Sequence, residues 1–211
     1  QGTYVITRTW SLVDNCGNVA ANQVQTITVL DTTDPTFTRP IDITLYKDAA
    51  CFADTTVTGA GDVTNEADNC STGIQATHSD VVVPGCQGTY VITRTWSLVD
   101  NCGNAAANQV QTITVLDTTD PTFTRPIDIT LYKDAACFAD TTVTGAGDVT
   151  NEADNCSTGI QATHSDVVVP GCQGTYVITR TWSLVDNCGN VAANQVQTIT
   201  VLDTTDPTFT R

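Results

Sequence analysis

The sequence predicts an all-β chain built as tandem immunoglobulin-like β-sandwich domains, disulfide-stabilised and set in a linear array. Three observations predict it. The stretch QGTYVITRTWSLVDNCGN begins at Gln1, Gln87 and Gln173, a spacing of 86 residues, and the copies differ over the whole 211-residue chain only at Ala105, where the others have Val19 and Val191. A period of that length marks whole domains repeated in series. Apolar residues alternate with a period of two, and no window has a helical period. The cysteines, finally, come four to a period, at Cys51, Cys70, Cys86 and Cys102 and again at Cys137, Cys156, Cys172 and Cys188, with Cys16 left over.

Each element follows from local chemistry. The segment VLDTTDPTFTRP recurs at 29–40 and 115–126. There a strand-like run stops where Pro35 lacks a backbone donor and forces its neighbour out of helical geometry. This places domain boundaries at Asp34 and Asp120: 1–33 is the C-terminal part of a truncated repeat, 34–119 and 120–205 are whole repeats, and 206–211 starts another. Without an initiator Met, the chain reads as an excerpt of a longer polymer.

Within a repeat, Ile41, Ile43 and Leu45 alternate with Asp42, Thr44 and Tyr46, predicting one buried face. Residues 90–99 place Tyr90, Ile92, Arg94, Trp96 and Leu98 on one side, and the Thr- and Val-rich run Gln109–Leu116 closes the domain. Gly59-Ala60-Gly61, Pro84-Gly85 and Cys102-Gly103-Asn104 read as turns. Six or seven short strands in 86 residues fit a sandwich. A parallel β-helix would repeat over a far shorter period.

Twenty-three acidic against eight basic residues give a net charge of −15. The repeat 34–119 carries ten acids and three bases. Nucleic acid is thereby excluded as a partner, since a polyanion binder needs a cationic footprint. No apolar run approaches the ~20 residues of a membrane span. The acidity reads as solubility and mutual repulsion along an exposed fibre, or as cation binding.

Even cysteine numbers in a Thr-rich β-chain predict disulfides and an oxidising, extracellular location rather than zinc, for which CxxC pairs and Cys/His clusters are lacking. Four cysteines allow three pairings. We expect Cys70 with Cys102 and Cys51 with Cys86, hence Cys156 with Cys188 and Cys137 with Cys172, because both Asp-Asn-Cys segments read as loops at one pole. A rival pairing joins Cys16 to Cys51 and Cys102 to Cys137 and links neighbouring domains covalently.

The run TYVITRTWSLVDNCGNVAANQVQTITVLDTTDPTF resembles bacterial hyalin-repeat modules of immunoglobulin type, through its aromatic strand, Asp-x-Cys-Gly-Asn loop and closing Val-x-Asp-Thr-Thr-x-Pro. In this cysteine-rich form it is similar to repeats of giant surface adhesins of Bacteroidota, including SprB-type gliding-motility adhesins. The resemblance implies type IX secretion and a filament attached to the outer membrane. The implied partners are neighbouring repeats of the same chain, lateral copies of itself, and the secretion and gliding machinery reached through other parts of the parent.

Calcium-binding relatives of that family place acidic loops at module junctions. The corresponding residues here are Asp31, Asp34, Asp100, Asn104, Asp117, Asp120, Asp186 and Asn190, which could supply several of the six to eight oxygens calcium takes. The simpler reading is that Asp and Asn make turns. No cofactor is otherwise required. Asp-Thr-Thr resembles the Bacteroidota O-glycosylation sequon, with Thr32, Thr55, Thr118, Thr141 and Thr204 as acceptors. Asn69-Cys70-Ser71 fits an N-glycosylation pattern that a bonded cysteine would hinder.

His78-Ser79-Asp80 contains triad residue types, but neighbours on an extended chain do not converge as a triad must. Trp96 falls in the alternating run and reads as core rather than as a sugar platform; Arg94 shares its parity and can stack on it or pair with an acid. The leading function is therefore a structural stalk for surface attachment and gliding. The alternative is a weak polysaccharide-binding module multiplied by repetition. A buried Trp96 favours the first and an exposed aromatic patch the second. No constellation supports an enzyme.

Overall fold

The computed structural model describes residues 2–172 and 174–210. It is almost wholly β, as the alternation predicts. Strands β1 (Tyr4–Trp10) and β2 (Gln23–Val29) form a hairpin in continuous register from Tyr4 opposite Val29 to Trp10 opposite Gln23. Then follow β3 (Thr36–Thr38), β4 (Ile43–Tyr46), the single helical turn α1 (Val57–Ala60), β5 (Thr64–Ala67), β6 (Thr77–Pro84), β7 (Tyr90–Ser97) and β8 (Gln109–Leu116). The next 86 residues repeat the order as β9 (Thr122–Thr124), β10 (Ile129–Tyr132), α2 (Val143–Ala146), β11 (Thr150–Ala153), β12 (Thr163–Pro170), β13 (Tyr176–Ser183) and β14 (Gln195–Leu202).

The chain divides into two compact units. One comprises Gln1–Leu45, Asp54–Val83 and Val91–Thr114; the other comprises Tyr46–Ala53, Pro84–Tyr90 and Val115–Arg211. In the second unit, β10, β14, β13 and β12 lie side by side in one sheet, and β9 pairs with β11 in the opposing layer. The outer pairs of the large sheet differ in sense. β13 runs antiparallel to both neighbours, whereas β10 joins the closing strand β14 in parallel, Ile129 opposite Ile199. An early strand of the repeat that pairs in parallel with the last closes the large sheet as immunoglobulin-like folds do.

The core lies between the layers. Phe123 from β9 meets Trp182 and Leu184 from the β13 region, and Ile178, Ile199 and Val201 pack with Ala146 from α2. In the first unit, Phe37, Trp96 and Leu98 are surrounded by Val57, Val63, Ile74, Ala76 and Ala106. The run from Ile92 to Leu98 buries every second residue, as its pattern requires. At the other strand the reading needs correction. Ile43 and Leu45 turn inward, but Ile41 is 82% exposed, because β4 begins only at Ile43, past Pro40.

One buried side chain ties the layers together. Gln111, fully buried, donates from Nε2 to the carbonyls of Ile41 (2.9 Å) and Ala60 (2.8 Å) and accepts from Trp96 Nε1 (3.3 Å). Its amide is thus satisfied without water, as a buried polar group must be. The α1 turn that carries Ala60 is set by Asp54, whose carboxylate accepts from Thr56 and Thr58. Gly59 is required there: a Cβ would stand 2.2 Å from the Asp54 carbonyl oxygen.

Candidate functional site: a seam closed by two disulfides

The strongest constellation lies in the second unit, where the loops at Tyr46–Ala53 and Pro84–Tyr90 meet loops 154–158 and 186–190. Cys51 is bonded to Cys156 and Cys86 to Cys188, with Cα atoms 5.0 and 5.2 Å apart, inside the normal disulfide range. The bridges join cysteines 105 and 102 residues apart, so each ties one repeat of the sequence to the next.

Three of the four loops at this seam are built by their own aspartate, and the Cys86 loop is held instead by Thr89, whose N–H and Oγ1 both donate to the Cys86 carbonyl. Asp48 Oδ1 accepts from the backbone N–H groups of Ala50 and Phe52, and this tight turn holds Cys51 at φ 58°. Asp154 Oδ2 accepts from Cys156 and Ser157, and Asp186 Oδ1 from Cys188 and Asn190. Such Asx turns are the local reason for the Asp close to Cys51, Cys156 and Cys188. Polar contacts complete the seam: Asn155 Nδ2 donates to the Asp48 carbonyl (2.9 Å), and Gln87 exchanges two hydrogen bonds with Thr158. Gly88, at φ +85°, lies against the first bridge; a Cβ there would approach both Cys156 Cβ and Cys51 Sγ to 2.9 Å.

This connectivity replaces the expected one. Cys51 is not joined to Cys86, nor Cys156 to Cys188, nor Cys137 to Cys172, and Cys70 carries no disulfide to Cys102. The placement of the loops was right, since Asn101 N donates to Ser71 Oγ and so holds the two Asp-Asn-Cys segments side by side. Neighbouring cysteines of one end are nonetheless bridged across the seam rather than to each other, because each is met by a cysteine loop of the adjoining repeat. The rival idea of covalently linked repeats has the right sense but the wrong partners. The spacing carried no signal for this choice, since Cys16 is left over under the within-repeat pairing and is unbridged under the observed one.

The acidic residues gather in part. Asp117, Asp186 and Cys188 converge within 4.8 Å, as do Asp31, Asp100 and Cys102. Asn190 Nδ2 donates to the Asp117 carbonyl and to Asp186 Oδ2, and Asn104 does the same for Asp31 and Asp100. Asp34 and Asp120 stay exposed outside the clusters. Burial raises the Asp100 carboxyl, but the Asn104 amide and the backbone N–H groups of Asn104 and Cys102 outweigh it and hold the group below the usual carboxylate value.

One oxygen in each cluster, Asp31 Oδ2 or Asp117 Oδ2, is buried without a partner. Both oxygens of Asp186 are committed to donors, Asn190 presents N–H rather than carbonyl oxygen, and the Cys188 sulfur is in a bridge. Asp68 Oδ1, on a carboxylate close enough to feel the Asp100 charge, and its copy Asp154 Oδ1 are also buried without partners, but two such oxygens fall short of the six to eight that calcium takes.

The remaining candidates are resolved by packing. Trp96 is 1% exposed, with the His78 ring tilted 53° against it at a centroid distance of 4.7 Å and the Arg94 guanidinium 5.7 Å from its ring. Arg94 also grips both oxygens of Asp80 at 2.8 Å and donates to the Thr55 carbonyl, so Asp80 does not orient His78. Thr32, Thr118 and Thr204 are exposed; Thr55 and Thr141 are half-buried. Among the described residues, no helix is long and apolar enough to cross a membrane.

No family model and no curated protein matches the chain. Among solved structures it is similar to an endo-fucoidan hydrolase from glycoside hydrolase family 107, at 12% identity and a TM-score of 0.21, over 95% of this chain and 34% of that one. So loose a likeness carries no argument about activity.

Proposed function

We propose that this chain is structural: a repeat of the stalk of a giant secreted adhesin, exposed on the outer surface and serving attachment and gliding. The observation that supports it most is the pair of bridges joining one repeat to the next. A bond between repeats does nothing for a ligand pocket, but it keeps consecutive domains together under tension. Bridges of this kind also suit an oxidising compartment outside the cytoplasm. The burial of Trp96 and Trp182 agrees, since it removes the best sugar-stacking surface. On this reading the protein has no catalytic role, and secretion and gliding components engage other parts of the parent.

The test is surface labelling of intact source cells with an antibody to the repeat, combined with in-frame deletion of the array. Surface staining with loss of attachment or gliding is expected. Staining only after cell lysis would overturn the proposal. A second reading has one observation in its favour: Tyr132 and Phe138 are 61% and 62% exposed, as are their copies Tyr46 and Phe52 at 60% each. These could serve a weak polysaccharide-binding module, which a glycan array would detect as binding lost in a Tyr132→Ala, Phe138→Ala variant.

A further inference from the structure

Cys137 and Cys172 stand one period after Cys51 and Cys86, yet both are exposed and neither is bridged. We infer that the end of the second repeat carrying them is a docking face for a further copy of this same 86-residue unit. The copy is locked there by two disulfides, from Cys137 to its counterpart of Cys156 and from Cys172 to its counterpart of Cys188. This deepens the stalk reading by naming the partner of the seam, but it does not depend on where the protein is displayed.

The loops are already in their bridged conformation. Cys137 has φ 62° where Cys51 has 58°, and Asp134 Oδ1 accepts from Ala136 and Phe138 at 2.9 Å as Asp48 does from Ala50 and Phe52. The left-handed conformation is unfavourable for a non-glycine residue and persists only where its surroundings impose it. At Cys137 no bridge imposes it, so the turn itself does. Likewise Thr175 N–H and Oγ1 both donate to the Cys172 carbonyl at 2.8 and 2.9 Å, matching Thr89 on Cys86.

The receiving side is equally preformed. Around Cys70, which carries no disulfide, Asp68 Oδ2 accepts from Cys70 and Ser71 at the distances found at the bridged Cys156. Gly2 approaches Cys70 as Gly88 approaches Cys156, at 2.6 against 2.9 Å from a notional Cβ to the cysteine Cβ. Docking thus needs little rearrangement on either side.

What the partner covers can be read by comparing the two ends. Asp117 is 6% exposed and Pro121 buried, whereas Asp203 and Pro207 are exposed; Cys51 is half-buried, whereas Cys137 is exposed. A cleft of about 340 Å³ opens beside Cys137, lined by Asp134, Ala135, Asp203, Thr205 and Asp206. At the occupied end, Asn155 donates into the corresponding place, on the Asp48 carbonyl. An incoming copy therefore brings its own Asn to the Asp134 carbonyl, and no other ligand is needed to fill the site.

The covalent step is thiol–disulfide exchange with a low-molecular-weight disulfide such as oxidised glutathione. The Cys137 thiolate attacks it, forming a mixed disulfide and releasing one small thiol. The incoming cysteine thiolate then attacks the protein sulfur of that mixed disulfide, forming the bridge and releasing the second. Two protein thiols are oxidised, one small disulfide is reduced to two thiols, and both protons leave on those thiols.

Repeated along an array, the rule creates two covalent tracks beside the main chain. On one, the force enters a repeat at its counterpart of Cys156 and leaves at that of Cys137, nineteen residues away; on the other the interval from Cys172 to Cys188 is sixteen. Even if fully unfolded, a repeat could then lengthen only to about 56 Å, against about 300 Å for its 86 residues, at ~3.5 Å per residue.

The test extends the full 211-residue chain by one more period in register and oxidises it in a glutathione buffer. Unreduced peptide mapping uses a sequence tag in the added period. Bridges from Cys137 and Cys172 into the added period are expected, with the number of thiols per molecule unchanged by the extra four cysteines. Cys137→Ser should liberate one thiol, at the added counterpart of Cys156. The Cys51–Cys156 bridge in the same molecule reports folding. If that bridge is present while Cys137 pairs with Cys172 or stays a thiol, the inference is overturned, whatever surface labelling shows.

Discussion

Pulling the oxidised chain by its two ends with an optical trap would follow the shortest covalent route rather than the whole polypeptide. That route enters along the first fifty-one residues, crosses the Cys51–Cys156 bridge and leaves toward the C-terminus, bypassing the 105 residues between the bonded cysteines. At ~3.5 Å per extended residue, the bridge hides about 370 Å of contour length, which reduction should release. The second bridge spans 102 residues, so in Cys51→Ser it should still hide about 360 Å at the same rise per residue. Either single variant would thus extend almost as little as the wild type, and only the double variant Cys51→Ser, Cys86→Ser would reach full length without reductant. Pairing within each repeat gives a different value. Shortcuts of 35 residues from Cys51 to Cys86 and from Cys137 to Cys172 would hide about 245 Å in all. A measured hidden length near that value, or a large gain in either single variant, would refute the cross-repeat connectivity.

Further outcomes follow from the packing. Gln111→Leu should lower stability by about 3 kcal/mol, since it leaves the Ile41 and Ala60 carbonyls and the Trp96 N–H buried without partners; a urea titration showing a change below about 1 kcal/mol would contradict that account. The hydrogen bonds from Arg94 and Arg180 hold the Asp80 and Asp166 carboxyls below their ordinary value of 3.8. Their stabilisation is accordingly complete above that pH and is lost as pH falls through the lowered values. Arg94→Met, Arg180→Met should be less stable at neutral pH and lose that part of the acid sensitivity; an acid titration of stability with an unchanged slope below pH 4 would count against the pair. Gly88→Ala should slow Cys51–Cys156 formation in a glutathione buffer by crowding both sulfur-bearing side chains, whereas Gly103→Ala, with no neighbour within 4 Å of its Cβ, should add backbone strain alone. Equal bridging rates for the two variants would remove the steric argument. A chelator should leave the thermal midpoint unchanged, because Asp186 and Asn190 are already committed to each other; a fall on chelation that calcium reverses would restore the cation reading.

Much of the architecture was legible in the residues. The parity of Ile92, Arg94, Trp96 and Leu98 named the buried face of β7 correctly, and the Thr- and Val-rich run Gln109–Leu116 is β8 with those bounds. Strand β4 was legible only in part, since alternation continues through Ile41 although pairing has not begun there. The cross-layer role of Gln111 was invisible, because a glutamine in a strand has no pattern until the two carbonyls it serves are brought to it. Cysteine pairing failed for a related reason. Spacing gives the order of the loops but not which loop of the neighbouring repeat stands opposite each one.

The hairpin and the two whole repeats show where that division falls, because they contain the same words. YVITRTW is a strand from Tyr4, from Tyr90 and from Tyr176 alike, so the extended backbone is a property of the residues themselves. Yet Trp10 is 56% exposed and Trp96 and Trp182 are each 1% exposed. Alternation specifies which side of a strand is apolar, a local matter of side chains pointing to opposite faces. Whether that side becomes core depends on a second layer arriving to cover it, as β3 and α1 do for Trp96. The bridges obey the same physics: cysteine number and the Asx turns are local, but a disulfide needs two Cα atoms brought within about 7 Å, and only tertiary structure brings them.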